Sequence, residues 1–346
     1  MTRAVRWIGS ASAVSTLIAL FAVLLAAELG VVALGGDLHD AVASAWAGTW
    51  GSGYGAAQVL FRASALAIVG VAADVALRAG LVPIGLESQI GAACLCAAVA
   101  GARLPSLGVA GAFAAGALAA MLIALIPAWL LIRRGMNIVM SGLLLIPPVS
   151  VAISYALAHG LAAPGTVHTP PLADSLRIEK LDQLWSGASG SSLSHVVWLS
   201  ALIICSMPLY FRYTAAGRET LLIGGNARAC RAEGVQVDKR LLLCLLLSAL
   251  IASLVSLVLV FGGKGYFEEG MGAGLGFAGL SVALMSRGSA WKLAAYSAGV
   301  ATLEQAALAS HAYLPRDAAS VLLAVFLIAV CAAGAQQRIA ASRRMS

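Results

Sequence analysis

Ten runs of predominantly apolar residues follow one another along this chain, separated by polar or basic residues. A transmembrane helix needs about 20 consecutive apolar residues to cross the hydrocarbon core of a bilayer, and most of the runs have about that length. The eighth run is short and rich in glycine. The sequence therefore predicts an all-α integral membrane protein with about ten transmembrane segments. The runs cover residues 7–34, 57–77, 83–102, 107–132, 136–158, 196–213, 241–261, 274–286, 290–310 and 317–335.

Composition supports the membrane assignment and narrows the classes of function. Hydrophobic residues make up 61% of the 346 residues and charged residues 11%, against about 25% charged residues in an average soluble domain. The net charge of +7 does not indicate nucleic-acid binding, because the basic residues cluster at the ends of the apolar runs, as in membrane proteins. We therefore expect the lipid bilayer, and no nucleic acid, as a partner. The first run is too long for a signal-peptide core and is predicted to be retained.

The distribution of lysine and arginine predicts the orientation of the spans. If both termini lie inside, 16 of the 22 basic residues fall on the inner face, in agreement with the positive-inside rule. All five histidines then fall outside, and neither their spacing nor their context indicates a metal site. Two outer loops, residues 35–56 and 160–195, are polar and rich in glycine and serine. The longer one either contacts an external partner or only connects two spans.

Ten spans divide into two halves of five, and an odd number per half gives the halves opposite orientations. That is the arrangement of inverted repeats in transporters. Residues 83–93 and 274–286 are both apolar segments interrupted by glycine, at roughly corresponding places in the two halves. Because broken helices form substrate sites near the bilayer midplane, we hypothesise an inverted five-plus-five repeat with glycine-broken half-helices.

Glu87 is the strongest candidate for a functional residue inside the membrane, where an ionisable group is costly. It lies between Pro83 and Gly91, and broken helices expose backbone groups that must be buried in protein or line a cavity. Glu87 and Gln89 are predicted to offer hydrogen bonds to a polar solute. The alternative is that Glu87 caps a neighbouring helix. Asn137 opens the fifth span and either takes part in the site or caps its own helix.

Other charged residues near the apolar runs are predicted to be structural. Asp74 lies four residues before Arg78, a spacing that places both on one helix face and predicts an ion pair. Lys264, Glu268 and Glu269 come just before the glycine-rich eighth run, and we predict a charged cluster at the outer surface there.

Enzymatic signatures are missing from the sequence. Neither a Walker A motif nor HExxH nor GxSxG occurs, and residues 274–279 match GxGxxG without the strand that dinucleotide binding requires. We therefore expect a transport subunit rather than an enzyme. Energy for transport must come from a partner or from an ion gradient.

Residues 214–240 form the longest polar stretch of helical character in the chain. The predicted topology places this mixed-charge segment inside, between two spans. The segment resembles the cytoplasmic motif of ABC importer permeases, in the branch that handles branched-chain amino acids, ribose-type sugars and nucleosides. The usual motif reads T-x-x-G, then A-x-G-x-N-P-x-A-A-x-x-x-G-I; here alanine replaces the proline at position 227 and cysteine the second alanine at position 230. The retained motif residues are Thr214, Gly217, Gly225, Asn226, Ala229 and Gly234.

Two further stretches are similar to motifs of the nucleoside-type permeases, the branch that this chain resembles most. Residues 84–89 (IGLESQ) are similar to the I-G-x-E-G-Q part of one motif, and residues 276–285 (GFAGLSVALM) are similar to G-F-x-x-I-A-V-A-L-L. The chain departs from this branch in the fifth span, where residues 137–139 (NIV) replace N-E-V and residues 144–147 (LLIP) replace M-L-N-Y. The expected solute is a nucleoside or related heterocycle, with a sugar, a branched-chain amino acid or a vitamin-like ring as alternatives.

The resemblance implies a single permease domain over residues 1–346 in a bacterial inner membrane, in which residues 214–240 are the coupling loop. The implied partners are a second permease subunit, ATPase subunits that carry ATP and Mg, and an external binding protein. This chain itself is expected to hold no cofactor and no metal. An ion-coupled secondary transporter is the less favoured alternative. Expected solute contacts are Glu87, Ser88, Gln89, Asn137 and Phe277; expected ATPase contacts are Thr214, Gly217, Arg218, Gly225, Asn226, Arg228, Ala229, Arg231 and Gly234.

Overall fold

The computed structural model describes residues 38–181 and 190–310 of the chain. Within these ranges the regular structure is helical, and the only extended pairings are two isolated β-bridges. The class predicted from the apolar runs, an all-α protein, is therefore confirmed. The α-helices are α1 (Leu38–Ala47), α2 (Gly53–Arg78), α3 (Leu86–Arg103), α4 (Gly108–Arg134), α5 (Ile138–Ala156), α6 (Val196–Tyr213), α7 (Ala215–Ala232), α8 (Val237–Ser253), α9 (Leu275–Ser286) and α10 (Ala290–Ala309).

Five helical segments of the described residues are long and apolar enough to cross a membrane. They correspond to the second, fourth, fifth, sixth and seventh predicted runs. Helix α9 is apolar but has only 12 residues, as the short eighth run predicted. The third and ninth runs form α3 and α10, which are not among these five segments. The first and last runs, residues 7–34 and 317–335, lie outside the described residues, and a total of ten spans and the inverted repeat remain predictions. The five segments are Gly53–Arg78, Pro105–Arg134, Ile138–Leu161, Val196–Tyr213 and Val237–Lys264.

The described residues fall into two compact units. Those between residues 60 and 298 belong to the larger unit, and the described residues on either side of that range belong to the smaller one. In the smaller unit, Gly48 follows α1 and lies so close to Ala309 that a side chain at position 48 would overlap the alanine methyl group. All of the residues predicted above to contact solute or ATPase belong to the larger unit. The single domain over residues 1–346 stays a prediction.

Small residues form the centre of the larger unit. Ala93 on α3, Ala120 and Ala124 on α4, and Ala249 on α8 are buried together. Gly116 lies against the backbone of α3, where an added Cβ would come within 2.6 Å of the Ala93 carbonyl oxygen. Small side chains let helix backbones approach closely, which is how helices in membranes gain packing contacts.

The outward faces of α4, α5 and α6 are apolar and exposed. Leu122, Leu144 and Leu202 each leave more than half of their surface uncovered, although they lie in the middle of long helices. In water such faces mark interaction sites, whereas in a bilayer lipid chains cover them. The exposed leucines therefore agree with helices that lie in a membrane.

Part of the predicted outer loop 160–195 is held by backbone hydrogen bonds. Helix α8 continues into a π-helical stretch, Leu257–Lys264, and the chain then turns at Gly265. Thr169 N–H donates to the Phe267 carbonyl at 2.8 Å, and Leu172 N–H donates to the Gly265 carbonyl at 2.8 Å. Segment 169–178 thus lies along segment 261–267, which leads to the beginning of α9.

Candidate functional site

The side chain of Glu87 caps the beginning of α9. Its Oε1 accepts a hydrogen bond from Gly274 N–H at 2.5 Å, and its Oε2 accepts one from Gly276 N–H at 2.8 Å. The first N–H groups of a helix lack partners within the helix, and the positive end of the helix dipole favours a carboxylate there. The capping role that the sequence left open for Glu87 is therefore present. The first turns of α3 and α9, the two glycine-broken segments, meet at this carboxylate.

Gly276 allows the two first turns to come together. A Cβ built at position 276 would lie 2.6 Å from the Glu87 nitrogen and 2.8 Å from its Cα. Such distances are too short for any side chain, so only glycine fits without displacing the backbone of α3. The glycine-rich composition of the eighth run is thus a requirement of packing at this position.

A cavity of about 220 Å³ adjoins Glu87. One wall is formed by Glu87, Ser88 and Gly91 on α3, and another by the C-terminal half of α5 from Val149 to Ser154. The chain before α9, from Glu269 to Ala273, closes it. The cavity combines carboxylates and serine hydroxyls with apolar side chains, the composition expected of a site for a small polar solute.

The other residues predicted to contact solute have different surroundings. Ser88 lines the cavity, and its hydroxyl donates to the Gly85 carbonyl at 2.8 Å. Gln89 is buried on the same turn, and its Oε1 has no hydrogen-bond partner among the described residues. Phe277 is exposed on α9, outside the lining of this cavity. Asn137 is also outside it: its Oδ1 accepts from Val139 N–H at 2.9 Å, so it caps α5, the alternative that the sequence left open.

Glu269 and Ser154 are cavity residues that sequence reasoning missed. The sequence predicts a surface charge cluster of Lys264, Glu268 and Glu269, and the first two do form an exposed ion pair at 2.6 Å. Glu269 instead accepts a hydrogen bond from the Ser154 hydroxyl of α5. Adjacent glutamates before a glycine-rich segment were a visible signal, but only packing shows which of the two faces the cavity.

The polar segment of residues 214–240 is helical over Ala215–Ala232, as predicted, and it is broken once. Thr214 precedes α7, and its hydroxyl accepts from Gly217 N–H at 2.9 Å, so the motif threonine is a helix cap. The backbone of Asn226 is extended, with φ −158° and ψ 93°. Its Oδ1 accepts from Arg228 N–H and Ala229 N–H, both at 3.1 Å. The motif asparagine therefore ends one helical piece and caps the next.

The arginines of α7 differ in the hydrogen bonds that their side chains make within this chain. Arg231 donates to Asp238 at 2.6 Å, which ties the end of α7 to the first turn of α8. Arg228 and Arg218 are exposed, and Arg218 makes only long contacts of 3.4 Å to backbone carbonyls. Gly234 has a positive φ of 83° in the turn after α7, a conformation that glycine adopts without strain. Of the predicted contacts, Arg228 and Arg218 are thus the charges available to a partner.

Arg78 joins the end of α2 to three other parts of the fold. It pairs with Asp74 at 2.5 Å, which confirms the predicted ion pair, and donates to the Gly288 carbonyl between α9 and α10. Its guanidinium lies 4.1 Å from the centre of the Phe211 ring on α6. Gly224 of α7 faces the Arg78 carbonyl so closely that a Cβ would overlap it. Sequence reasoning selected Gly225, which has open space around it, and missed Gly224, although the glycine of A-x-G-x-N lies two residues before the asparagine.

Replacing Asn226 by alanine is expected to loosen the second piece of α7. Loss of a helix cap costs about 1 kcal/mol, so the amides of residues 227–232 should exchange with deuterium several times faster, by about fivefold. Hydrogen–deuterium exchange followed by mass spectrometry measures this directly. Asn226→Ser keeps an oxygen acceptor and serves as the matched control. Unchanged exchange in the alanine variant would contradict the capping role.

Comparison with known proteins gives one family match and two informative relatives. The family model described as the permease component of branched-chain amino acid transport systems matches residues 55–331. A glucose ABC transporter permease protein of Haloferax volcanii is 30% identical over 310 residues, which cover 83% of this chain and 77% of that protein. A guanosine ABC transporter permease protein of Bacillus subtilis is 25% identical over 328 residues, 91% of each chain. No solved structure shows a significant match.

Proposed function

The chain belongs to the family of permease components of branched-chain amino acid transport systems, and we propose that it forms the solute pathway of an ABC importer. Its family and its apolar helices make it a multi-pass membrane protein and a transport subunit rather than an enzyme. The observation that carries the proposal is the cavity at Glu87, where carboxylates and hydroxyls lie between α3, the chain before α9 and α5, a helix long enough to cross a bilayer. The membrane is the bacterial inner membrane, with both termini in the cytoplasm.

Helix α7 is the element through which ATPase subunits act on this chain. It is polar and exposed, its two pieces are set by caps at Thr214 and Asn226, and its Gly224 rests on the end of α2. ATP and Mg bind to the partner ATPase subunits, and this chain needs no cofactor of its own. ATP binding and hydrolysis move α7, and the contact with α2 carries that motion toward the cavity. A second permease subunit and an external binding protein complete the importer.

The solute is a nucleoside or a related heterocyclic small molecule. The guanosine permease of Bacillus subtilis supports this choice, because it aligns over nine tenths of both chains. A sugar is the second candidate, favoured by the higher identity to the glucose permease of Haloferax volcanii. Both solutes are neutral and carry several hydroxyl groups, which match hydrogen-bond acceptors such as those in the cavity.

Replacing Arg228 by glutamate is expected to lower ATP-dependent uptake by about tenfold or more, because a charge reversal at a docking surface puts like charges together. Uptake is measured in cells that carry the whole importer, together with recovery of the ATPase subunits on the purified permease. Lys292→Glu, which reverses an exposed charge on α10, is the control. It should leave uptake and recovery of the ATPase subunits unchanged. Normal uptake in the Arg228 variant would refute the role of that charge. Uptake that collapses with an uncoupler at constant ATP would refute the importer and favour ion coupling.

A further inference from the structure

We propose that Glu269, together with Ser150 and Ser154, forms a hydrogen-bond acceptor site for a polyhydroxylated ring, and that this site excludes solutes with a net negative charge. The inference rests on the proposed function, because it names what the cavity of the importer accepts. The ring is the chemistry shared by a hexose and by the ribose of a nucleoside.

Glu269 has acceptor capacity left over. One of its oxygens, Oε1, accepts from the Ser154 hydroxyl, and its Oε2 has no hydrogen-bond partner among the described residues. The side chain is exposed to the cavity rather than packed in protein. Ser150 lines the same wall one helical turn before Ser154. A carboxylate oxygen with hydroxyls beside it is suited to receive O–H donors from a sugar ring, since hydrogen bonds to a charged acceptor are stronger than neutral ones.

The two glutamates of the cavity are not equivalent. Both oxygens of Glu87 already accept N–H groups at the positive end of α9, which offsets its charge. Glu269 has no such compensation. Lys264, the cation nearest in sequence, is paired with the neighbouring Glu268 at 2.6 Å. Among the described residues that line the cavity there is no lysine, arginine or histidine.

The uncompensated charge makes the cavity selective by repulsion as well as by attraction. A solute carboxylate beside Glu269 would place two negative charges close together without a cation, which disfavours the charged form of both groups. Specificity often depends on such a repulsive element as much as on the attractive contacts. The volume of the cavity, about 220 Å³, is below the roughly 300 Å³ at which pockets for drug-sized ligands begin, so the site is sized for the shared ring, a hexose or the ribose part of a nucleoside.

Binding to the full-length chain in detergent tests the site without the binding protein or the ATPase. Saturation-transfer NMR is applied with three probes: D-glucose, its carboxylate analogue D-glucuronate, and guanosine. The expected result is saturation of the ring protons of D-glucose or guanosine, and at least about tenfold weaker binding of D-glucuronate. A comparison of D-glucose with guanosine shows whether the ring belongs to a hexose or to the ribose of a nucleoside.

The variant Glu269→Gln separates a solute contact from a structural role. Loss of the charged acceptor should weaken binding of the neutral ring by about tenfold, and it should narrow the difference between D-glucose and D-glucuronate. A merely structural change would not alter the ratio of the affinities for D-glucose and D-glucuronate. Ser154→Ala should weaken binding of the neutral ring but leave the repulsion of D-glucuronate in place. Glu268→Gln removes the adjacent carboxylate, which lies outside the cavity lining, and should bind like the wild type.

Several results would overturn the proposal: equal binding of D-glucuronate and D-glucose, no binding of any probe, or wild-type binding by Glu269→Gln. A failure of the proposed function would look different. Uptake of D-glucuronate that depends on ATP and matches that of D-glucose would keep the importer and refute the acceptor site. Solute uptake that does not depend on ATP would refute the importer. The binding of the probes measured by NMR would still test the acceptor site.

Discussion

Replacing Glu87 by glutamine is expected to reduce solute uptake at least about tenfold while the chain still assembles with the ATPase. The carboxylate accepts N–H groups from Gly274 and Gly276 with both of its oxygens. An amide has one oxygen, and its NH₂ group would face one of these N–H donors. Loss of one charge-assisted bond and of the charge at the helix N-terminus costs about 2–4 kcal/mol. The lost interaction lies where α9 meets the cavity, so the loss is expected to affect solute passage.

Two variants make the Glu87 experiment specific. Glu87→Asp keeps the charge on a side chain one methylene shorter, so uptake should lie between that of the wild type and the glutamine variant. Glu268→Gln removes a nearby glutamate whose exposed pair with Lys264 contributes about 0.2–1 kcal/mol, so uptake should stay normal. Recovery of ATPase subunits on the purified permease shows whether assembly is intact. Wild-type uptake by Glu87→Gln would remove Glu87 from the solute pathway.

Replacing Arg78 by methionine is expected to lower the free energy of unfolding by about 3–5 kcal/mol, because it leaves the Asp74 carboxylate buried without its partner. Asp74 is only 2% exposed, and its ion pair with Arg78 is 2.5 Å long. The change also removes the bond to the Gly288 carbonyl and the contact with the Phe211 ring. The measurement is the loss of monodisperse protein in size-exclusion chromatography after heating in detergent.

A double variant distinguishes the buried charge from the other contacts of Arg78. Arg78→Met combined with Asp74→Leu replaces the pair by apolar side chains, which in a buried position often restores stability. The double variant should therefore be more stable than the single one. It should still import solute poorly, because the links from α2 to Gly288 and Phe211 are absent. A single variant as stable as the wild type would show that the Asp74 charge is satisfied elsewhere.

Local features of the fold could be predicted because their causes lie within a few residues. The Asp74–Arg78 pair follows from a spacing of four on one helix, and helix α7 follows from a polar stretch between apolar runs. Asn137 was predicted either to cap its helix or to join the site, and the cap is what the fold contains. Glu87 was predicted either to meet solute or to cap a neighbour; it does cap α9, and it also borders the cavity.

The sequence by itself determined the membrane class, the apolar helices and the helical character of residues 214–240, because hydrophobic length and polar composition act over one helix at a time. Only the tertiary structure decided that Glu269, rather than Glu268, faces a serine 115 residues away, and that Arg78 reaches a carbonyl 210 residues away. These contacts depend on how helices pack, and packing selects one residue among neighbours of the same type by their direction around a helix or turn, which spacing along the chain does not specify.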